Sequence, residues 1–201
     1  MNIDSVAQLR ALYPYPTERI VKKQLSSLDR HCQRIIELSP FVVIASGSPE
    51  FAMDASPRGG SPGFVRIVDQ KTLLIPDAPG NNRLDTFENI LATKQVGLLF
   101  LVPGLDETLR VNGAARLSRS EELTSLFPAE KRPPKLVIEV TVEAAYLHCP
   151  KALMRSNLWN PAARIDRKTL PTVIEMINDQ TGILVPVQSH EATRVNFEKD
   201  L

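Results

Sequence analysis

Two turn-forming clusters, each with one arginine, are the parts of this 201-residue chain best suited to binding a ligand. Residues 56–60 (S-P-R-G-G) form the first cluster, and residues 79–83 (P-G-N-N-R) form the second. Glycine lets a backbone approach a ligand closely, and arginine offers a rigid fork of donors to a phosphate. Both clusters adjoin predicted strand ends or helix starts, where backbone N–H groups gather. The pattern predicts an anion-binding site, and two surface hairpins with solvated arginines are the alternative.

A second polar set lies on a predicted strand that ends at Leu117. Thr108, Arg110 and Asn112 alternate there with apolar residues, so the three polar side chains share one face of the strand. They either contact a ligand or form a solvated outer face.

A third set follows Pro150. Lys151 and Arg155 are four residues apart and therefore lie on one face of a predicted helix, where they repel each other unless an anion lies between them. Ser156 and Trp159 follow, and Trp159 is the only tryptophan. This set predicts a second site for a phosphate or carboxylate. For Trp159 the alternatives are stacking on a ligand and anchoring a core or an interface.

The sequence shows no recognisable motif for acid–base catalysis or for metal binding. His148 and Cys149 are neighbours in sequence, and neighbours on a strand point to opposite faces. These two residues and His190 lack the spacing of metal ligands. The sequence therefore identifies no catalytic residue and no metal site, which suits chemistry carried by a cofactor.

The clearest helical pattern lies before Pro40. Its apolar stripe consists of Val21, Leu25, Leu28, Cys32 and Ile35. The stripe predicts one amphipathic helix over residues 18–38, with Thr17 as the N-cap. Other helices are predicted at residues 5–12 and 121–127, and after Pro150 and Pro171. A further helix, capped by Asn82 or Asp85, should carry Leu84, Phe87, Ile90 and Leu91 on one face.

About seven strands are predicted, at residues 41–46, 51–55, 64–68, 72–76, 96–102, 108–117 and 136–142. The strand at 96–102 is nearly all apolar, which predicts a central strand covered on both faces. Turns link most of the strands, and this antiparallel arrangement favours a closed barrel over an open sheet. Residues 131–134 (K-R-P-P) read as a linker. The polar tail at 191–201 is predicted to be disordered or to wrap a partner.

Composition excludes some classes of protein. The net charge of +1 does not suggest a nucleic-acid surface, and no apolar run has the length of a membrane span. The N-terminus lacks the pattern of a signal peptide, so we expect a cytoplasmic protein. Cys32 and Cys149 are then expected to be free thiols.

Five segments, in this order, resemble the pyridoxamine 5′-phosphate oxidase-like flavoproteins, and in particular their FMN-binding branch of unassigned substrate. The segments are residues 54–64 (D-A-S-P-R-G-G-S-P-G-F), 76–90 (P-D-A-P-G-N-N-R-L-D-T-F-E-N-I), 96–104 (V-G-L-L-F-L-V-P-G), 107–115 (E-T-L-R-V-N-G-A-A) and 148–159 (H-C-P-K-A-L-M-R-S-N-L-W). The resemblance implies an FMN-binding split β-barrel over residues 1–201. It would have a helical segment at 1–40, the barrel at 41–145, and a C-terminal helical segment and tail at 146–201.

The resemblance also implies a homodimer with FMN at its interface. Arg58 and Arg83 stand at positions that reach the FMN phosphate in the family, and Ser56, Gly59 and Asn82 adjoin them. Relatives that oxidise vitamin B6 often carry lysine in place of Arg83. The strand of Thr108 and Arg110 would contribute flavin contacts. The family places its C-terminal segment over the partner's flavin, which implies cofactor contacts from Lys151, Arg155, Ser156 and Trp159.

The function implied by the resemblance is an FMN-dependent oxidoreductase acting on a small molecule. One alternative is a flavin- or other cofactor-binding protein that stores or senses without turnover. Another is a deazaflavin- or haem-binding relative. Strict vitamin B6 oxidation is disfavoured, because the chain ends N-F-E-K-D-L, without the C-terminal substrate motif of the relatives that have that activity.

Overall fold

The computed structural model describes residues 2–127 and 133–199, so the predicted linker at 131–134 lies partly outside the described residues. The strands are β1 Phe41–Gly47, β2 Met53–Gly59, β3 Arg66–Asp69, β4 Thr72–Pro76, β5 Gln95–Leu101, β6 Thr108–Ser118 and β7 Val137–His148. The helices are α1 Val6–Leu12, α2 Glu18–Lys22, α3 Arg30–Leu38, α4 Asp85–Thr93, α5 Glu121–Thr124, α6 Lys151–Ser156, α7 Val173–Thr181 and α8 His190–Glu198. Short 3₁₀ turns lie at Pro161–Ala163 and Arg167–Thr169.

The strands form one antiparallel sheet in the order β2-β1-β5-β6-β7-β4-β3. This is the split-barrel arrangement that the resemblance implies. The turn-linked strands favoured a closed barrel, but the hydrogen-bonded ladder does not close, because β2 and β3 remain as its two edges.

The two faces of the sheet differ in burial. The inner face carries the core, including Val42, Ile44, Leu98, Phe100, Leu109 and Val111, and α3 adds Cys32 and Ile36 to it. On the outer face the intervening residues are half-buried, among them Val43, Ala45, Leu99, Leu101, Thr108 and Arg110. Strand β5 was predicted to be covered on both faces, but within one chain only its inner face is fully buried. Its outer face is apolar and needs further cover.

The prediction of one helix over residues 18–38 is wrong for the central residues, because the chain forms two separate helices there, α2 and α3. Between them Leu25 exchanges two backbone hydrogen bonds with Ala145 of β7, at 2.9 and 2.8 Å. Asp29 then caps α3 by accepting from the backbone N–H groups of His31 and Cys32. Thr17 occupies the N-cap position of α2, but its side chain makes no capping hydrogen bond.

The first arginine cluster was predicted as a turn, but residues 56–59 belong to strand β2. The strand tolerates Pro57, which has no N–H to donate, because β2 is an edge strand. As a result Asp54, Ser56 and Arg58 alternate on one face of β2, beside the buried side of β1.

The start of helix α4 also differs from the prediction. Neither Asn82 nor Asp85 caps it; Leu84 holds the N-cap position at φ 60°, with no side-chain cap. Ile90 is buried at 1% exposure, whereas Leu84 and Leu91 are 50% and 67% exposed. The predicted apolar face of this helix is therefore only partly correct. Ser118 or Ser120 was expected to cap the helix at 121–127; Ser120 holds the N-cap position of α5 but makes no capping hydrogen bond.

The C-terminal tail forms helix α8, at least through Glu198, and was predicted to be disordered or to wrap a partner. None of the helices in residues 2–127 and 133–199 combines the length and apolar character that crossing a bilayer requires.

Gly113 lies at an irregularity where the β6–β7 register shifts. A Cβ atom at this position would lie 2.0 Å from the backbone oxygen of Thr141. We expect Gly113→Ala to lower the free energy of unfolding by about 3 kcal/mol, the upper part of the range for overpacking. Urea unfolding tests this, with Gly80→Ala as the control, because the nearest atom there is 4.0 Å away. Equal midpoints for the two variants would contradict the expectation.

Candidate functional site

A pocket of about 570 Å³ lies between the edge strand β2 and the first turns of helix α4. Its lining residues are Ser48, Ala52, Met53, Asp54, Ala55, Ser56, Arg83, Asp85, Glu88 and Asn89. The sheet edge supplies one wall and the α4 N-terminus the other. The positive end of a helix dipole favours an anion at such a position.

A network of hydroxyl groups holds the Asp54 carboxylate in this pocket. Thr86 Oγ1 donates to Asp54 Oδ2 at 2.6 Å, and Ser56 Oγ donates to Oδ1 at 3.0 Å. Ser46 Oγ lies 3.4 Å from Oδ2, and it accepts from Asn89 Nδ2 at 3.0 Å. The network joins β1, β2 and α4, so it fixes the two walls of the pocket against each other.

Arg83 lies in the pocket wall, where its Nε donates to Asp85 Oδ2. This ion pair raises the pKa of the Arg83 guanidinium above its ordinary value. The backbone N–H of Arg83 donates to Asn81 Oδ1 at 3.1 Å, and Asn82 has a φ of 59°. The loop therefore directs Arg83 towards the helix start, while Asn82 turns the backbone.

Arg58 does not line the pocket but shares the face of β2 that carries Ser56. Residues two apart on a strand are separated by roughly 6.6 Å, so Arg58 lies one step along the same edge. Its Nη1 donates to the Pro57 backbone oxygen at 2.9 Å. Burial raises the pKa of the nearby Asp77 carboxyl, and the charge of Arg58 partly counters that rise. Gly59 follows Arg58 at the strand end and is likewise outside the pocket lining.

The predicted polar face of β6 exists, because Thr108, Arg110 and Asn112 are all half-buried on the outer face. In the β6–β7 ladder, Thr108 pairs with His148 and Arg110 pairs with Tyr146. The guanidinium carbon of Arg110 lies 4.2 Å from the centroid of the Tyr146 ring.

The C-terminal set occupies helix α6 and the segment after it. Lys151 and Arg155 lie on this helix four residues apart, as predicted, and both are exposed. The Ser156 hydroxyl donates to the Leu153 backbone oxygen at 3.0 Å. Trp159 is half-buried, and its indole N–H donates to the Leu105 backbone oxygen at 2.7 Å. That bond ties the segment to the loop between β5 and β6.

Within one chain the predicted site residues fall into two groups on opposite faces of the sheet. Ser56, Arg58 and Arg83 belong to the inner-face edge and the adjoining loop, whereas Thr108 and Arg110 belong to the outer face. Three strand spacings of about 4.8 Å, or roughly 14 Å, separate β2 from β6, the strand of Thr108 and Arg110, in the sheet order. One chain therefore does not bring the two groups together around one ligand.

Sequence reasoning missed the pocket residues Asp54 and Asn89, and also Ser46 and Thr86, which join them in the hydrogen-bond network. Thr86 and Asn89 are three apart on α4, so their spacing places them on one helical face, but nothing in the sequence pairs that face with β2. It also missed Lys23 and Tyr146 on the outer face. No group of three or more potential metal ligands occurs in the described part of the chain.

Fold and site together define a split-barrel protein with a polar pocket at the edge of its sheet. The family model for pyridoxamine 5′-phosphate oxidase matches residues 28–149, more than half of the chain, and the chain belongs to this family. A search of the curated proteins found no match.

Several solved structures are similar. HupZ from Group A Streptococcus has 16% identity and a TM-score of 0.51 over 60% of this chain and 93% of its own. An FMN-binding protein from Syntrophomonas wolfei has 9% identity and a TM-score of 0.45, over 58% and 88%. General Stress Protein 26 from Bacillus anthracis has 14% identity and a TM-score of 0.44, over 57% and 88%. The likeness to HupZ shows the fold alone.

Proposed function

We propose that this protein is an FMN-dependent oxidoreductase that acts on a small molecule and works as a cytoplasmic homodimer. The observation that carries the proposal is the family match over residues 28–149, combined with a pocket that places Arg83 and Ser56 at a helix N-terminus. The resemblance implies FMN, a flavin with a terminal phosphate, and that phosphate needs a site with cationic donors.

The pocket residues fit a phosphate. Arginine has five N–H donors, and the described hydrogen bonds of the Arg83 guanidinium use only Nε. Its terminal nitrogens can therefore donate to a phosphate while Asp85 holds the group in place. Asp54, Asp85 and Glu88 also line the pocket, so a phosphate there would lie beside three carboxylates. Asp85 is paired with Arg83, and three hydroxyl groups surround the Asp54 carboxylate. Arg58, Gly59 and Asn82 adjoin the site, and we assign them supporting contacts.

The proposed dimer explains why the two groups of site residues lie on opposite faces. A second copy placed against the outer face would bring its own edge pocket towards the Thr108 and Arg110 of its partner. The outer face has the apolar character of such an interface: Phe41 and Met53 are 38% and 76% exposed, and Val43 lies between them. Homodimer interfaces are richer in apolar area than ordinary surfaces.

Some helices outside the barrel leave their apolar side chains uncovered in the described part of the chain. Helices α1 and α2 bury no residue, and α6 buries none either. Exposed apolar side chains in the segments before and after the barrel include Val6, Leu12, Ile20, Met154, Leu184 and Phe197. We assign these segments to contacts with the second copy, with Lys151, Arg155, Ser156 and Trp159 near that copy's flavin.

The protein's own residues bind and orient in this mechanism. The phosphate is held by Arg83, Arg58 and Ser56. The hydrogen-bond network around Asp54 fixes the two walls of the pocket relative to each other. Thr108 and Arg110 form a polar wall, and the apolar residues around them exclude water. When bound, a flavin supplies the transfer of electrons as hydride or single electrons, and the protein tunes it through nearby charge.

Trp159 provides a spectroscopic test of where the flavin lies. It is the only tryptophan of the chain, so its fluorescence reports one site. Flavin beside Trp159 quenches its emission, and we expect the emission to rise when FMN is removed. Because the Trp159 indole donates to Leu105 in the loop between β5 and β6, a rise would favour a flavin position near that loop. Unchanged emission on removal of FMN would contradict flavin-proximal placement.

Turnover distinguishes the oxidoreductase from a protein that stores or senses flavin. The FMN-loaded protein is mixed with NADH or NADPH, and bleaching of the flavin bands and oxygen uptake are followed. We expect bleaching followed by reoxidation. Tight FMN binding with no reduction by any donor tested would favour the binding protein without turnover. A deazaflavin or haem retained in preference to FMN would favour the other alternative.

A further inference from the structure

Two segments outside the family match expose many apolar side chains. We define the arm as residues 2–24 and the C-terminal unit as residues 171–199, whereas the family model matches residues 28–149. Every residue of the arm is exposed, and so are residues 181–189 in the middle of the C-terminal unit. Large exposed apolar surfaces on a folded protein generally mark a site of interaction.

The arm presents the apolar face of a formed helix. Ser5 caps α1 by accepting a hydrogen bond from the backbone N–H of Gln8. Val6, Leu9 and Leu12 follow at three-residue steps, which places them on one face of that helix, and all three are exposed. The face is therefore accessible to a partner.

The C-terminal unit has a backbone held in place by polar side chains. Asn178 is only 7% exposed. Its Nδ2 donates to the Val185 backbone oxygen at 2.8 Å, and its Oδ1 accepts from the Val185 N–H at 3.1 Å. Asn196 Nδ2 donates to Gln188 Oε1 at 2.8 Å. These bonds fix residues 182–188 relative to helices α7 and α8.

The segment fixed in this way carries a run of apolar residues, 183–187 (I-L-V-P-V). Leu184 is 85% exposed, and more than half of the surface of Ile183, Val185 and Val187 is exposed as well. Covering these side chains would remove apolar area from water, so the run suits a partner that also has an apolar face.

The arm and the C-terminal unit carry opposite net charges. The arm has four basic and two acidic side chains, a net charge of +2, whereas the C-terminal unit has two basic and four acidic side chains, a net charge of −2. Complementary charges steer two surfaces together and disfavour the pairing of like segments. The arm therefore suits the C-terminal unit better than a second arm would, and the negative charge of the unit disfavours an anionic lipid surface.

The path of the chain directs the two segments apart within one copy. Lys23 Nζ donates to the Leu147 backbone oxygen at 2.8 Å, and the Leu28 N–H donates to the Gln70 oxygen at 2.8 Å, so the arm begins beside β7 and the turn between β3 and β4. Trp159 instead ties the chain after β7 to the loop between β5 and β6. In the sheet order, β5 and β7 lie on opposite sides of β6. A second copy is therefore the better source of an arm for the C-terminal unit.

We infer that the arm of one copy packs the apolar face of α1 on residues 183–187 of the C-terminal unit of a second copy. This inference rests on the proposed homodimer. A two-fold axis repeats the contact, so that each chain both covers the other and is covered by it. The exchange links the segment that carries Trp159 in one copy to the barrel of the other copy.

Photochemical cross-linking of the full-length protein tests which copy the arm contacts. A benzophenone amino acid replaces Leu9, and the products are separated by mass under denaturing conditions and mapped by mass spectrometry. We expect illumination to give products with the mass of two chains, joined between position 9 and residues 171–199. Ala11, two residues further on and therefore on the opposite face of α1, is the control position and should give few such products.

The products distinguish the possible contacts of the arm. Products with the mass of one chain would show that the arm folds onto its own copy. Products of two chains that map to the barrel would show that the arm has a different contact. Either result, or the absence of cross-links from position 9, would overturn the proposal.

Two serine variants measure the contact without a photoreactive group. Leu9→Ser and Leu184→Ser should each raise the dissociation constant of the dimer by roughly ten- to a hundredfold, because each removes a leucine from an apolar contact. Both leucines are exposed in the single chain, so each copy should stay folded. Ala11→Ser is the matched control and should dimerise as the wild type does. Sedimentation gives the dissociation constants, and wild-type values in both leucine variants would overturn the proposal.

The two proposals fail in different ways. If the wild type sediments as a single chain, the proposed homodimer itself is contradicted. If the wild type is a dimer but position 9 gives no product with residues 171–199 of the second copy, only the arm contact is contradicted.

Discussion

Replacement of Arg83 by alanine is expected to weaken FMN binding by roughly ten- to a hundredfold. A charge-assisted hydrogen bond contributes about 1.5–3 kcal/mol net, and about 1.4 kcal/mol corresponds to tenfold in affinity. Arg83 lies in the wall of the β2–α4 pocket, at the start of helix α4, so its loss removes donors from the proposed phosphate position. Fluorescence titration of the flavin-free protein measures the change.

Riboflavin distinguishes a phosphate contact from a general effect on the site. Riboflavin has no phosphate, so it should bind the wild type more weakly than FMN does. The Arg83→Ala substitution should change the affinity for riboflavin only slightly. Arg58→Ala should also weaken FMN binding, and the two losses need not add, because both residues would share one phosphate. Arg66→Ala, an exposed arginine on β3, serves as the control. Equal losses of FMN and riboflavin would contradict the assignment.

Arg83→Ala should leave the fold intact. The side chain is exposed, and its described ion pair is with Asp85 alone, so its removal leaves no cavity. If no FMN affinity is lost, the phosphate lies elsewhere, and Lys151 with Arg155 is the next pair to replace.

Introducing a charge at Val43 is expected to separate the dimer. Val43 lies on the outer face of β1, between Pro57 of β2 and Leu99 of β5. Stable homodimer interfaces commonly bury roughly 2,000 Å² or more, and an unpaired charge in such an interface is strongly destabilising. We expect Val43→Arg to shift the mass measured by light scattering from that of two chains to that of one.

The same substitution should abolish FMN binding, because the proposed site needs residues from both copies. The monomer itself should stay folded, since Val43 is only half-buried in the single chain and points away from the core. Val68→Arg on β3, which is exposed, is the matched control and should remain a dimer that binds FMN. A Val43→Arg protein that stays dimeric and retains FMN would place the interface elsewhere.

Local patterns in the sequence were sufficient to predict most of the strands. The alternation of β6 placed Thr108, Arg110 and Asn112 on one face, as the structure confirms. The helix at residues 5–12 begins after Ser5, whose side chain accepts from the backbone N–H of Gln8. These features depend on residues that are close together in the chain, so the periodicity of apolar residues predicts them directly.

Features set by distant contacts were not predictable in this way. The apolar stripe from Val21 to Ile35 reads as one helix, but the hydrogen bonds between Leu25 and Ala145 interrupt it. Those two residues are far apart in sequence, and no local sequence pattern predicts their contact. The extension of β2 through Pro57 is similar, because a proline is tolerated there only at a sheet edge.

The candidate site shows the same division. Motifs and family resemblance singled out Ser56 and Arg83, and the structure places both in one pocket. The hydrogen bond from Thr86 to Asp54 spans 32 residues, so the sequence did not suggest that network. The strand order, which puts Arg110 on the face opposite the pocket, also emerges only from long-range pairing.

The most direct test of the central claim is the stoichiometry of FMN binding together with the mass of the complex. Flavin-free protein is titrated with FMN while flavin absorbance and light scattering are recorded on the same sample. We predict saturation at one FMN per chain in a particle of two chains, with riboflavin binding more weakly. A monomer that binds FMN, or a dimer that takes up none, would contradict a flavin site built from two copies of this chain.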